Sequence, residues 1–328
     1  MINPAIYTIA KNEAHNVSGF MEMAGDCPVY VLDTGSEDDT VELLKKHGAI
    51  VEQKIIDPWR FDTARNESLK LVPQKHDVCL SIDLDERIVP SNWQERLAEE
   101  WDGNLGLCVL ISDWLDKAKT KPGVQSQRQR IHERNGFEWS HAVHEVITPS
   151  FGTEVNSCKL SLVIHHNQDD KPRNYIPVLE NAVKKNPTDS RSWLQLGAEY
   201  SSAGQLDESA SAYFQFLFLT KDESYKDRFK RSHARMALAR CFFERGNHKE
   251  TIRQYLFAVA EQPDCREAWT HLAHLMLQVE NAEFAYGCAS NAEKIKSFPD
   301  DVAIETGCWG DIPEQIMQSA EIQMKGVF

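Results

Sequence analysis

Trp193-Leu194-Gln195-Leu196-Gly197-Ala198-Glu199-Tyr200-Ser201-Ser202-Ala203-Gly204 decides how the second half of this chain folds. Trp193, Leu196, Gly197 and Tyr200 fall at the spacing of one helix face, and Gly204 stands where such a helix would end. Tyr213 follows in the next helical stretch. The frame recurs as Leu238-Ala239, Phe242 and Gly246, with Tyr255, Ala258 and Pro263 behind it. It recurs again as Trp269, Leu272-Ala273 and Met276, followed by Ala285, Ala289 and Ala292. Pro187 precedes Trp193 by six residues, and Pro263 precedes Trp269 by the same six. The two tryptophans lie 76 residues apart, which divides into one repeat of 34 and one of 42 with an eight-residue insertion. Small residues at fixed places let paired helices approach, and aromatics fill the space between pairs.

These positions resemble the tetratricopeptide pattern, so residues 171–328 are expected to form an all-α helical repeat domain. The insertion carries Lys226, Arg228, Lys230, Arg231, Arg235, Arg240 and Arg245. A solvated helix face is the first reading of that cluster; a surface for a polyanion, nucleic acid included, or for an acidic protein is the other.

Working toward the N-terminus, the pattern changes. Ala5–Ile9, Pro28–Leu32, Ala49–Val51 and Val78–Ile82 are short apolar runs, with helix-like stretches at Asp39–His47 and Thr63–Leu71 between them. Such alternation predicts right-handed βαβ units and a mainly parallel, Rossmann-like sheet over residues 1–170. Polar residues follow three of these strands: Asn12-Glu13, Asp33-Thr34 and Asp83-Leu84-Asp85. Ligands of parallel sheets bind beyond such strand ends.

The bulk properties set limits. The chain has 328 residues, 41% hydrophobic and 26% charged, as in soluble globular proteins, and no apolar run approaches membrane-spanning length. Lys11, Glu13 and His15 interrupt the first twenty residues where a secretory signal needs an apolar core, so a cytoplasmic location is expected. Eight scattered cysteines without a C-x-x-C pair predict reduced, packed thiols. Residues 1–170 hold 17 Lys+Arg against 28 Asp+Glu, whereas residues 171–328 hold 19 against 22. The acidic first half is a poor general surface for a polyanion.

Ile82-Asp83-Leu84-Asp85-Glu86 places two carboxylates at the end of an apolar strand, a donor set suited to Mg²⁺ or Mn²⁺. Around it stand Lys11-Asn12-Glu13, Asp33-Thr34-Gly35-Ser36, Ala64-Arg65-Asn66, Arg128-Gln129-Arg130, Trp139 and Val143-His144-Glu145. In this order the segments resemble family-2 glycosyltransferases of the GT-A fold, over residues 5–166. The resemblance implies a metal-dependent, inverting enzyme that moves a sugar from a nucleotide-sugar, a UDP-sugar first, to a peptide, glycan or modified nucleic-acid base. It assigns Thr8, Ala10 and Glu13 to the nucleoside, Asp33 to the base or ribose, and Arg65 to the diphosphate. Asp83 would meet the ribose and sugar and Asp85 the metal. Glu145 would be the catalytic base, with Glu138 and Asp113 in reserve, and Trp139 a core residue or a sugar platform. One of His144, His165 and His166 would complete the metal shell, and adjacent strand residues allow at most one of the last two. Two alternatives remain: a non-catalytic repeat scaffold with a degenerate transferase domain, and a metal-dependent nucleotidyltransferase.

Overall fold

The apolar runs of the first half become strands, and the periodic stretches between them become helices. The computed structural model describes residues 2–111, 125–167, 174–221, 225–297 and 306–326. The chain forms two units, residues 1–173 and 174–328. In the first, β1 (Pro4–Ala10) leads through α1 (Ala14–Ala24) to β2 (Val29–Asp33), then through α2 (Thr40–Lys46) to β3 (Ile50–Gln53). Next come α3 (Phe61–Lys70), β4 (Val78–Ser81), β5 (Glu86–Val89), α4 (Trp93–Glu100) and β6 (Leu105–Ile111). β7 (Gln125–Glu133), β8 (Phe137–Ser140), β9 (Val146–Pro149) and β10 (Ser157–His166) complete the unit.

Eight strands form one sheet in the order β3-β2-β1-β4-β7-β6-β10-β5, and β8 pairs with β9 separately. The pairs among β3, β2, β1 and β4 are parallel, as is β6 with β10. β7 runs antiparallel to both β4 and β6, and β5 antiparallel to β10. The sheet is therefore mixed, which corrects the expectation of a mainly parallel, Rossmann-like GT-A domain. Helical crossovers, which enforce parallel pairing, separate only β1 to β4 in this way; β7 then inserts between β4 and β6 in the opposite sense. Along β1, Ala5 and Tyr7 pack on one face with Tyr30 and Trp139, while Ile6 and Ala10 pack on the other with Val17 and Leu80. Every residue of β2 and of β4 is buried, as strands covered on both faces require.

The second unit is helical among its described residues. It runs α5 (Ile176–Lys185), α6 (Ser190–Ser202), α7 (Leu206–Leu219), α8 (Tyr225–Glu244) and α9 (His248–Glu261). α10 (Arg266–Gln278), α11 (Ala282–Lys294), α12 (Thr306–Trp309) and α13 (Ile312–Met324) follow. The pairs α6/α7, α8/α9 and α10/α11 turn alike. Gln205 N donates to Tyr200 O at 2.8 Å, Asn247 N to Phe242 O at 2.9 Å, and Asn281 N to Met276 O at 2.9 Å. The residue before each donor is left-handed: Gly204 at φ 72°, Gly246 at 71° and Glu280 at 60°. This is the glycine-type helix stop that satisfies terminal carbonyls. The six-residue Pro-to-Trp spacing also has a cause: Trp193 Nε1 donates to Pro187 O at 2.9 Å, and Trp269 Nε1 to Pro263 O at 2.7 Å. A Cβ on Gly197 would stand 3.0 Å from the buried Tyr213 ring, so a small residue is needed there. The insertion is helical, giving α8 20 residues against 13 in α6 and in α10.

Among the described residues no helix is long and apolar enough to cross a membrane. All eight cysteines are buried and free.

Candidate functional site

Arg65, on α3, has its side chain only 5% exposed. Its Nη1 donates to Asp83 Oδ1 at 2.8 Å and to Ser81 Oγ at 3.1 Å, and its Nη2 to Asp83 Oδ2 at 3.0 Å. Its Nε donates to Glu145. The guanidinium carbon lies 5.1 Å from the centre of the Trp139 ring. Trp139 is itself buried, with Nε1 donating to Tyr7 Oη at 2.6 Å, so it serves the core.

Two further residues complete this network, and the sequence reading assigned neither a role. Glu86, 1% exposed, accepts from Asp83 N at 2.8 Å and from Arg130 Nη2 at 2.8 Å. Arg130 also lies 3.6 Å from Asp83. Burial opposes ionisation throughout, and the partners decide the outcome. Asp83 is held far below the usual carboxylate range because Arg65 and Arg130 outweigh its burial. Glu86 is pushed up to about 7 by burial, Arg130 opposing and Asp83 assisting. Burial would discharge Arg65, yet Asp83 and Glu145 hold it well above the guanidinium range. Arg65, which the resemblance assigns to a diphosphate, thus pairs here with Asp83 and Glu145 of its own chain.

Asp85 Oδ2 and His166 Nε2 meet at 3.0 Å. The hydrogen bond to Asp85 raises the His166 pKa against burial. His165, paired along the backbone with Arg87 and Ile111, is sent to the other face by strand alternation. His144 precedes Glu145 in left-handed backbone at φ 50°. Asp85 and His166 thus contribute two donors, and a divalent cation there would take the rest of its shell from water or a ligand.

The remaining predicted residues shape the strand ends. Asp33, fully buried, accepts from Gly35 N at 3.2 Å, Ser36 N at 3.1 Å and Gln53 Nε2 at 3.3 Å. The Thr8 carbonyl accepts from Ser68 Oγ at 2.7 Å and that of Ala10 from Thr34 Oγ1 at 3.0 Å. Glu13 Oε2 accepts from Asn16 Nδ2 at 2.8 Å. Glu138 is exposed on β8, and Asp113 lies outside the described residues.

In the second unit, α5, α6 and α7 line an open cleft of about 650 Å³. Glu180, Asp207 and Glu208 line it beside Trp193, Leu196 and Tyr200. Tyr200 Oη donates to Glu180 Oε1 at 2.6 Å, and burial together with Glu180 pushes the Tyr200 phenol up to about 12. The basic residues of the insertion are not a uniform solvated face. Arg231 is buried, with Nε 2.9 Å from Glu261 Oε2 and Nη1 2.7 Å from Leu217 O, and Arg245 pairs with Asp207.

No family model matches this chain, and no curated protein matches it. Solved structures that match include MamA, at 16% identity over 46% of this chain and 77% of that one, with a TM-score of 0.33. A tetratricopeptide repeat protein from Parabacteroides merdae matches at 16% identity over 46% and 53%, with a TM-score of 0.36. The tetratricopeptide domain of Sgt2 from Aspergillus fumigatus matches at 12% identity over 42% and 80%, with a TM-score of 0.33. At these values the likeness carries no argument about function. No glycosyltransferase stands among these matches. The mixed sheet corrects the expectation of a family-2 GT-A glycosyltransferase acting on a nucleotide-sugar. The tetratricopeptide-like repeats of residues 174–328 are the part of the resemblance that holds, on the recurring turns and Trp–Pro bonds described above.

Proposed function

We propose that this chain is a protein-interaction scaffold whose repeat unit docks a cationic peptide segment of a partner. The acidic cleft between α5, α6 and α7 carries the reading. Glu180 and Glu208, beside an indole and a phenol and with Asp207 already paired to Arg245, supply charge complementarity and flat apolar surface, the two features that hold a Lys- or Arg-bearing chain. Exposed aromatics on α7, Phe214 and Phe218 four residues apart on one face, extend the apolar surface of the same repeat. Fluorescence anisotropy with a short Lys/Arg-rich peptide and a Glu-rich control of equal length tests it. Saturable, salt-sensitive binding of the cationic peptide is expected. Preference for the acidic control, or no binding to either, overturns the reading.

A second reading concerns the first unit, where Asp85 and His166 converge. A divalent cation held there, with water completing its shell, would make this unit a metal-dependent binding module. Calorimetric titration of Mn²⁺ into the parent and Asp85→Ala decides it: heat common to both proteins places the ion elsewhere.

A further inference from the structure

A separate cluster lies in the repeats, away from the acidic cleft. Cys265, fully buried at the start of α10, and Glu267, 3% exposed, meet His233 from α8. An imidazole nitrogen, the Cys265 sulfur and a Glu267 carboxylate oxygen all lie within 4.8 Å of one another, and Sγ to Oε2 is 3.7 Å. Among the described residues no other three His, Cys, Asp or Glu side chains converge this closely.

Two of the donors are oriented from behind, as metal ligands are. His233 Nδ1 lies 2.8 Å from the Phe229 carbonyl, which only accepts, so the neutral ring keeps its proton on Nδ1 and its lone pair on Nε2. Glu267 Oε1 accepts from Trp309 Nε1 at 2.6 Å, which sets the carboxylate plane. An independent observation comes from the same turn. Gln262, 1% exposed and three residues before Cys265, has neither Oε1 nor Nε2 hydrogen-bonded. A buried amide left so calls for a polar partner that none of the described residues supplies, and water held at this turn is such a partner.

We propose that His233, Cys265 and Glu267 bind a zinc-class divalent ion, with water in the fourth position. One sulfur, one nitrogen and one oxygen donor suit a borderline-soft tetrahedral ion and disfavour Mg²⁺, Ca²⁺ and Mn²⁺. Binding forms a metal–sulfur bond and releases the Cys265 thiol proton to solvent. The site joins α8 to the head of α10, so the ion clips two successive repeats together and its binding energy adds to their folding.

The test titrates Co²⁺ into the full chain after dialysis against a chelator. A sulfur-to-cobalt charge-transfer band in the near ultraviolet should rise and saturate at one ion per chain, and Zn²⁺ should bleach it. Zn²⁺ should also raise the thermal midpoint. Cys265→Ser should abolish the band, and His233→Gln should weaken Co²⁺ binding about tenfold or more. His233 is only half-buried, so the second variant keeps the test decisive if the first fails to fold. Cobalt binding by the parent without a sulfur band, no binding at all, or a band undiminished in both variants overturns the proposal. The first of these places the ion on nitrogen and oxygen donors, as at Asp85 and His166.

Discussion

Arg65 closes over both oxygens of Asp83, Nη1 on Oδ1 at 2.8 Å and Nη2 on Oδ2 at 3.0 Å, while its Nε reaches Glu145. One guanidinium thereby ties α3 to the end of β4 and to the segment before β9. Its removal takes the hydrogen-bonded cation from Glu145 and leaves Asp83 only Arg130, 3.6 Å away, so Arg65→Ala should cost about 3 kcal/mol. Arg65→Lys, which keeps the charge and loses the two-pronged geometry, should recover part of that. Urea denaturation at neutral pH measures both. The Arg65→Ala deficit should shrink in acid, where the stranded carboxylates take up protons. A deficit below about 1 kcal/mol at pH 7 would mean that the network is a surface-like pair.

His132 makes the pH dependence of the first unit testable. It is fully buried, with Nε2 2.7 Å from Tyr7 Oη and Nδ1 2.7 Å from the Glu133 carbonyl. Burial holds its pKa down at about 4, against an ordinary value of 6.5. Between these values the unfolded chain binds a proton that the folded chain refuses. The His132 contribution is therefore whole above about pH 6.5, falls with pH, and is gone below about 4, a loss of about 3 kcal/mol at most. Glu86, raised to about 7, acts oppositely, because its folded form binds the extra proton in an overlapping window. The informative quantity is thus the difference between the parent and His132→Asn. Stability of the parent relative to the variant should decline from pH 7 to pH 4. Parallel profiles would show that His132 takes up its proton without unfolding.

β1, β2 and β4 were legible because their residues are apolar and largely buried on both faces, and β3 as a short apolar run that is nevertheless mostly exposed. β7 was not. Gln125-Ser126-Gln127-Arg128-Gln129-Arg130 has no hydrophobic alternation, and its place between β4 and β6 comes from backbone pairing with them. That polar strand, together with β5 antiparallel to β10, makes the sheet mixed. The candidate site was legible as residue types and not as contacts. Arg65 meets partners 18 and 80 positions away, and neither periodicity nor spacing reports such pairings. Strand alternation puts His165 and His166 on opposite faces, and only the three-dimensional placement shows that His166 is the one beside Asp85. In the repeats the insertion length was readable. So was its helical form, through the helix-face reading of its basic residues; what the sequence did not show is that Arg231 on that helix is buried.

Glu280 occupies the position held by Gly204 and Gly246 in the other repeats, and it adopts the same left-handed backbone at φ 60°. A side chain in that conformation costs about 1–2 kcal/mol, part of which glycine gives back as unfolded-state entropy. Glu280→Gly should therefore stabilise the protein by about 0.5–1 kcal/mol, and Glu280→Val should destabilise it, because a β-branched residue tolerates that region least. Thermal midpoints of the three proteins give the order. A glycine variant less stable than the parent would show that Glu280 makes contacts worth more than the backbone strain.

Glu208 is exposed at the head of α7 on the wall of the acidic cleft, so its charge can be reversed with little effect on folding. Glu208→Lys converts an attraction for a cationic peptide into a repulsion of similar size. An exposed pair contributes about 0.2–1 kcal/mol, so the reversal should raise the peptide Kd about three- to tenfold at low salt. The effect should fade as ionic strength rises and the Debye length shortens. Glu180→Gln is the complementary change, removing charge while leaving an oxygen to accept from Tyr200. It should weaken cationic-peptide binding less than the reversal does and leave the thermal midpoint near that of the parent. Equal affinity of all three proteins for the cationic peptide, at low and high salt alike, would remove the cleft as the docking surface and leave the exposed face of α7, with Phe214 and Phe218, as the place to search.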